Sequence, residues 1–320
     1  MSGHHAHTTI LDDGVTAIDT EYARPLLDAS HLINQGGRAA FVDTGANSSV
    51  PLLLDALAQQ DLDPGDVDYV FLTHIHLDHA GGAGLLMQSL PNARCVVHPR
   101  GAPHMIEPAR LIAGTEAVYG VAATRKMYGV IQPLDVGRVV TPEDGQQFDL
   151  NGRPLRTFYT EGHALHHYCI DDPTSRGVFT GDSFGVSYRE LDTAAGPFIF
   201  PASTPTHFDP VAAHKSVDLI MGCNPDYVYV THYSRIGDLP RLAQDMHEGI
   251  DAYAAIALDH KESDDPFVPI KAAMFEYLST RLRAHGYQGD DAAMQSILRF
   301  DTELNAKGLV SWLLRLKKQG

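Results

Sequence analysis

The segment Thr73-His74-Ile75-His76-Leu77-Asp78-His79-Ala80-Gly81-Gly82 constrains this chain more than any other. It follows an apolar run, Asp68-Tyr69-Val70-Phe71-Leu72, that reads as a buried strand. It precedes Leu85-Leu86-Met87, which reads as a helix start. Three histidines and an aspartate therefore occupy a short strand-to-helix loop, where no packing requirement calls for four such side chains within six positions. Imidazole and carboxylate are the ligands of borderline divalent metals. His74 and His76, two residues apart, point the same way from an extended backbone. Asp78 and His79 follow as the chain turns and face a second point nearby. The glycines let the backbone pass close to whatever is bound. By themselves these residues read as one half of a two-metal site.

The pattern His-x-His-x-Asp-His with a following Gly-Gly resembles the signature of the metallo-β-lactamase superfamily. Three later segments resemble that family's downstream motifs in the same order: Tyr159-Thr160-Glu161-Gly162-His163, Phe179-Thr180-Gly181-Asp182 and Tyr229-Val230-Thr231-His232. The resemblance covers roughly residues 8 to 240. It implies an α+β fold, a four-layer αββα sandwich over 8–240, here followed by an α-helical C-terminal extension over 241–320. It also implies a ligand set. His74, His76 and His163 would hold one divalent ion, and Asp78, His79 and His232 a second. Asp182 would bridge both. Zinc is the first expectation, with iron or manganese next. Two such cations can share a water and lower its pKa, so that a bridging hydroxide exists at neutral pH. Asp78 would orient that nucleophile or pass its proton, and no catalytic serine or cysteine is needed. In the resembled family an aspartate placed like Asp43 orients a ligand histidine; a turn aspartate stabilising Asp43-Thr44-Gly45 is the equal alternative.

The ligand set narrows the chemistry. An aspartate at 182 with paired histidines resembles the glyoxalase II, lactonase and RNase Z branches, whereas the β-lactamases proper usually carry cysteine there. The formal charge of −16 and the lack of a run of lysines or arginines oppose a polyanionic substrate or an anionic membrane. The expected function is hydrolysis of a small ester, thioester or lactone. The helical extension is similar in placement to that of a quorum-sensing thioesterase, which favours a small acyl substrate over a polymer. A diiron oxygen-binding redox or sensor protein is the alternative on the same fold. Such proteins usually carry glutamate where His76 stands, and they use a flavin partner domain of which this sequence shows no sign.

The remaining chain fits this frame. Val15–Asp19, His31–Asn34, Arg38–Val42, Ala93–Val97, Arg138–Val140, Gln147–Leu150, Pro154–Tyr159, Tyr168–Asp171, Gly177–Thr180 and Asp226–Val230 read as strands. Pro51–Gln60 and Pro210–Met221 read as helices, with proline suited to the first turn. Residues 183 to 209 form a long loop after a proposed ligand, a common place for function. Phe184, Tyr188, Phe198, Phe200, His207 and Phe208 are its candidate pocket-wall residues, with packing that holds the loop shut as the even alternative. His98, His166 and His167 stand near the expected site but are not needed as ligands. Arg125 and Lys126 are cationic candidates for an anionic substrate, with a solvated helix face the commoner reading.

Beyond Asp238, apolar residues recur at helical spacing, with polar breaks at Glu262–Pro266 and Gly286–Asp290. These stripes need a cover: the sandwich, one another, or a second copy of the chain, so a homodimer through these helices is one expected arrangement. Cys95, Cys169 and Cys223 form no Cys-x-x-Cys pair, which fits a reducing cytoplasm. Met1–Thr9 has no apolar segment of signal length, and its His4, His5 and His7 read as a mobile tail without function.

Overall fold

The hydrophobic alternation read from the sequence resolves into two mixed sheets in the computed structural model, which describes residues 5–319. The first sheet has seven strands in chain order: β1 (Thr8–Ile10), β2 (Val15–Asp19), β3 (Ala29–Gln35), β4 (Arg38–Val42), β5 (Val67–Leu72), β6 (Arg94–Val97) and β7 (Val139–Val140). Strands β1 to β4 pair antiparallel. The expected Gly36-Gly37 hairpin joins β3 to β4, with both glycines at positive φ. From β4 to β7 the pairing is parallel, and each step needs a crossover. Helix α1 (Val50–Ala58) makes the first. α2 (Leu77–Ala80) and α3 (Ala83–Ser89) make the second, and α4 (Ala102–Ile106), α5 (Ala109–Tyr119) and α6 (Val121–Tyr128) lie within the third.

The second sheet runs in the order β13-β12-β11-β10-β9-β8, built from β8 (Gln147–Leu150), β9 (Arg153–Tyr159), β10 (Tyr168–Asp172), β11 (Gly177–Gly181), β12 (Tyr227–Val230) and β13 (Ser234–Ile236). Neither β13 nor β1 was expected, and β1 begins within the segment read as a mobile tail. The sequence reading ended at β12, because three residues carry too little pattern to register as a strand. Residues up to Tyr159, with His166–Gly181 and Tyr227–Arg235, form one compact unit that holds nearly all of both sheets. Ile33, Ala40, Val42, Phe71 and Val96 of the first sheet share one core with Phe148, Leu155, Ile170, Phe179 and Tyr229 of the second. On its other side the first sheet shares a core with α1 and α3, through Leu53, Leu57 and Leu86. A buried bidentate pair, Arg153 with Asp172, fixes the ends of β9 and β10, and Ser175 adds a hydroxyl to Asp172 at 2.5 Å.

Thr160–Leu165, Asp182–Asp226 and the chain from Ile236 onward form a second compact unit. Its helices are α7 (Pro210–Gly222), α8 (Leu239–Asp259), α9 (Phe267–Ala284) and α10 (Asp291–Gln319), and the breaks between the last three fall where the polar segments were read. The long loop is packed within this unit. Phe184, Tyr188, Phe198, Phe200 and Phe208 are all buried. Asn305 of α10 accepts from the Ser203 N–H at 2.7 Å and donates to the Pro201 carbonyl at 3.3 Å, while the Tyr188 hydroxyl donates to Asp301 at 3.0 Å. At Gly308 an added Cβ would lie 1.5 Å from the Ser203 carbonyl, so only glycine lets α10 approach the loop this closely. Phe184, Tyr188, Phe198 and Phe200 are therefore packing that holds the loop in place, Phe208 lines a small pocket as a wall residue, and His207 is exposed. Among the described residues, no helix is long and apolar enough to cross a membrane. His4 lies outside the described residues; His5 pairs with Asp55 at 3.2 Å and the His7 carbonyl accepts from Asp19 N, so this part of the tail is engaged.

His31 stands inside the first unit, edge-on to Phe179 and Tyr229, with its Nε2 3.3 Å from the Ser234 hydroxyl. Burial pushes its pKa down to about 4, only partly opposed by Asp43. A depressed histidine binds its proton more readily when unfolded, so stability rises with pH from about 4 to about 6.5 and falls on acidification through that window. Urea unfolding at pH 6.5 and 4.5 tests this. The wild type is expected to lose about 2 kcal/mol more than His31→Gln across that interval; equal losses would remove His31 as the cause.

Candidate metal centre

The loop after β5 places its ligand side chains by backbone alone. β5 ends at Leu72, His76 caps α2 in an extended conformation, and Asp78 and His79 lie in that single helical turn. Asp43, just past the end of β4, sits at φ +60° and collects hydrogen bonds from the Thr73 N–H (2.8 Å), the Thr73 hydroxyl, the Thr231 hydroxyl (3.0 Å) and His79 Nδ1 (2.9 Å). Of its two expected roles, the structure bears out the orienting one. A carboxylate only accepts, so His79 carries its proton on Nδ1 and turns the Nε2 lone pair the other way.

His232 follows β12 and is held in the same manner. Its Nδ1 lies 3.1 Å from the Leu27 carbonyl and 2.8 Å from Asp28 Oδ1. Asp28 is fully buried; burial raises its pKa to about 6, against the pull of His232. The Nε2 atoms of both rings face one carboxylate. Asp78 Oδ2 is 3.6 Å from His79 Nε2 and 3.8 Å from His232 Nε2. Asp78, His79 and His232 thus offer three ligand atoms within 4.8 Å of one another. Both imidazoles are backed by a carboxylate, the arrangement that fixes the tautomer and raises the basicity of a metal-ligating histidine. This donor set fits a divalent cation.

The second pair is held differently, with a hydroxyl rather than a carboxylate beside His74. His74 Nε2 and His76 Nδ1 face each other at 2.9 Å, and the Thr73 hydroxyl sits 3.1 Å from His74 Nδ1. His167, buried, stacks on His74 at 4.9 Å between centroids, and His166 stands edge-on to His76 at 5.7 Å. Gly181 ends β11 at φ +48°, where an added Cβ would come within 2.7 Å of both His167 Nε2 and Thr73 Oγ1. Both close approach and backbone conformation require glycine there. His98 is turned away from this chemistry. Its Nδ1 accepts from Arg100 N at 3.1 Å, its ring lies on Tyr159, and burial lowers its pKa to about 4.

His163 and Asp182 belong to the second unit. His163 Nδ1 donates to the Ala202 carbonyl at 3.0 Å, so its Nε2 is the lone-pair nitrogen, 3.5 Å from Asp182 Oδ2. Both line a pocket of about 10 Å³, room for about one water, with Glu161, Pro201, Phe208, Met246 and Ile250. Asp182 is bonded directly to Gly181, the last residue of β11, and His163 lies in the short segment between β9 and His166.

Sequence reasoning missed a tyrosine cluster. Tyr22 and Tyr128 share a 2.7 Å hydroxyl–hydroxyl bond and stack at 5.7 Å, and Tyr119 is hydrogen-bonded to Tyr128. Burial first, and the Asp78 charge second, push all three hydroxyls up, so they are neutral donors beside the ligand loop. Nothing local in the sequence joins a loop residue near position 20 to two helices a hundred residues later.

Residues 24–232 match the sequence profile of the metallo-beta-lactamase superfamily. The chain belongs to that superfamily. It is 34% identical over 135 residues to a metallo-beta-lactamase fold-containing protein, ST1585, of Sulfurisphaera tokodaii, a match covering 38% of this chain and 47% of that one. The solved structure of ST1585 superposes with a TM-score of 0.64 at 22% identity, covering 93% of this chain and 99% of the other. A metallo-beta-lactamase family protein of Thermus thermophilus, TTHA1429, gives 0.65 at 19% identity, over 95% and 94% of the two chains. An atrochrysone carboxyl ACP thioesterase of Aspergillus chevalieri is 25% identical over 156 residues, 48% of this chain and 39% of that one. The chain thus spans about half the length, or less, of these curated relatives. The αββα fold and helical C-terminal extension read from the sequence hold.

Asp28 gives a direct check on the histidine geometry. In metal titrations against a chromophoric chelator, Asp28→Asn is expected to weaken binding at least about 10-fold, with thermal unfolding of the metal-free protein little changed. Unaltered affinity would deny Asp28 its positioning role.

Proposed function

We propose that this protein is a dinuclear metal-dependent hydrolase acting on a small ester, thioester or lactone, with a thioester as the first substrate to try. The observation that carries the reading is the convergence of His79 Nε2 and His232 Nε2 on Asp78, each ring locked from behind by an acidic residue. His74, His76 and His163 are the proposed ligands of one ion, and Asp78, His79 and His232 those of the other. Asp182 is proposed to bridge them. The order of these residues matches the superfamily motifs, and chain connectivity supports the placement, since Asp182 directly follows the β11 end. Zinc is the proposed metal, with iron or manganese as the other borderline choices. When bound, the ions supply Lewis-acid charge that lowers the pKa of water and polarises a carbonyl.

The chain's own residues supply orientation and proton handling. Asp43 and Asp28 keep His79 and His232 in one tautomer, so no proton need move on those rings during turnover. The Asp78 side chain is 23% exposed, unlike the buried His79, so one edge of it can reach solvent or substrate and accept a proton. Tyr22, Tyr119 and Tyr128 stay protonated and form a hydrogen-bonding wall near Asp78. An acidic chain without a basic tract suits a small acyl substrate better than a nucleic acid. The named activity of the Aspergillus chevalieri relative, a thioesterase, supports the thioester choice.

A panel of an acyl thioester, a p-nitrophenyl ester and an acyl-homoserine-type lactone, assayed with zinc-loaded protein, tests the reading. Turnover of at least one class is expected, with kcat/KM lowered at least about 100-fold in Asp78→Asn. Zinc-loaded protein inert toward all three, or a variant as active as the wild type, would overturn it.

A further inference from the structure

A second cluster of metal-ligating side chains lies on the surface of the helical unit, and the proposed function does not use it. His214 and Asp218 stand one turn apart on α7, and His247 and Asp251 one turn apart on α8. They engage crosswise. His214 Nε2 is 3.0 Å from Asp251 Oδ1, and His247 Nε2 is 3.3 Å from Asp218 Oδ1. The two rings lie nearly parallel, 12° apart with centroids at 5.0 Å, and their Nδ1 atoms face each other at 2.7 Å.

His214 Nε2 is hydrogen-bonded to Asp251, and His247 Nε2 lies beside Asp218. The two Nδ1 atoms face each other at hydrogen-bond distance, so a cation between them could take a lone pair from each ring. The carboxylates of Asp218 and Asp251 would offset its charge and orient the rings, as a carboxylate behind a histidine does at a metal. The His214 and His247 side chains are 28% and 33% exposed, so an ion from solution reaches them.

We propose that His214 and His247 form an additional site for one imidazole-seeking divalent cation of the zinc, nickel or copper class, bound through the two Nδ1 atoms in place of the hydrogen bond between them. With metal–nitrogen bonds of about 2.0–2.1 Å, the nitrogens open to roughly 3.3 Å, a shift of a few tenths of an ångström that two half-exposed side chains can make. Waters fill the remaining positions. Protons compete with the cation for the same nitrogens, so affinity falls as pH drops.

The experiment counts zinc. Protein already loaded at its main centre is dialysed at pH 7.5 against micromolar Zn²⁺, and total metal is measured by atomic emission. The wild type is expected to hold one equivalent more than His247→Ala, with equal thermal unfolding and equal hydrolytic activity in both. Asp251→Asn should bind that equivalent about 10-fold or more weakly, and at pH 5.5 it should be largely lost. A second readout needs no variant. Imidazole ¹⁵N resonances of His214 and His247 in the wild type should both move on adding zinc beyond the main centre's needs. Identical zinc counts in wild type and His247→Ala, or unmoved resonances, would overturn the proposal and leave only a hydrogen bond between the rings.

Discussion

Two buried acids placed behind two imidazoles set the chemistry of this molecule. Asp43 and Asp28 occupy the Nδ1 sides of His79 and His232, and the Nε2 atoms then face Asp78. Burying carboxylates is costly unless they are paired: His79, Thr73 and Thr231 satisfy Asp43, and His232 stands against Asp28. Asp43 does more than orient. Through Thr73 and Thr231 it joins the ends of β5 and β12, so the geometry of the ligand loop and of the last ligand strand depends on one side chain. The sandwich provides a rigid frame of strand ends, and the acids behind the histidines turn that frame into a site.

The helical unit shows the same economy of means in a different material. The long loop after Asp182 buries its aromatic residues and hands its backbone groups to Asn305 and its tyrosine to Asp301, both on α10. A segment that carries no sheet is thus kept in one conformation by the last helix of the chain. The contact at Gly308 leaves no space for a side chain, which makes the fit between loop and helix specific in shape as well as in hydrogen bonding.

Much of this was legible from the sequence, for identifiable reasons. His74, His76, Asp78 and His79 declared themselves because no packing need explains them so close together, and the later motifs kept the order of a family. Most strands of both sheets followed from apolar runs, though not the three-residue β1 and β13, and the three C-terminal helices followed from their spacing. Asp43 was half legible, since a strand-end aspartate before Thr-Gly also suits a turn. Asp28 was not legible at all. It lies far along the chain from His232, and only tertiary folding brings the two within 2.8 Å. Tyr22, Tyr119 and Tyr128 escaped for the same reason. The aromatic residues of the long loop look alike in sequence whether they face a pocket or a helix; Tyr188 bonds to α10, Phe198 packs beside Arg281 of α9, and Phe208 lines the small pocket. The crossed pairs of His214 and His247 were invisible because each half is an unremarkable i, i+4 pair on its own helix.

The central claim is that His79 and His232 present Nε2, and not Nδ1, to a cation at Asp78. A crystal of zinc-treated protein, with anomalous diffraction recorded on both sides of the zinc edge, tests it most directly. The account predicts an anomalous peak at about 2.0–2.2 Å from His79 Nε2, His232 Nε2 and an Asp78 oxygen, with Asp43 and Asp28 still behind the rings. A zinc-treated crystal with no peak at these atoms, or with the ion on an Nδ1, would contradict it.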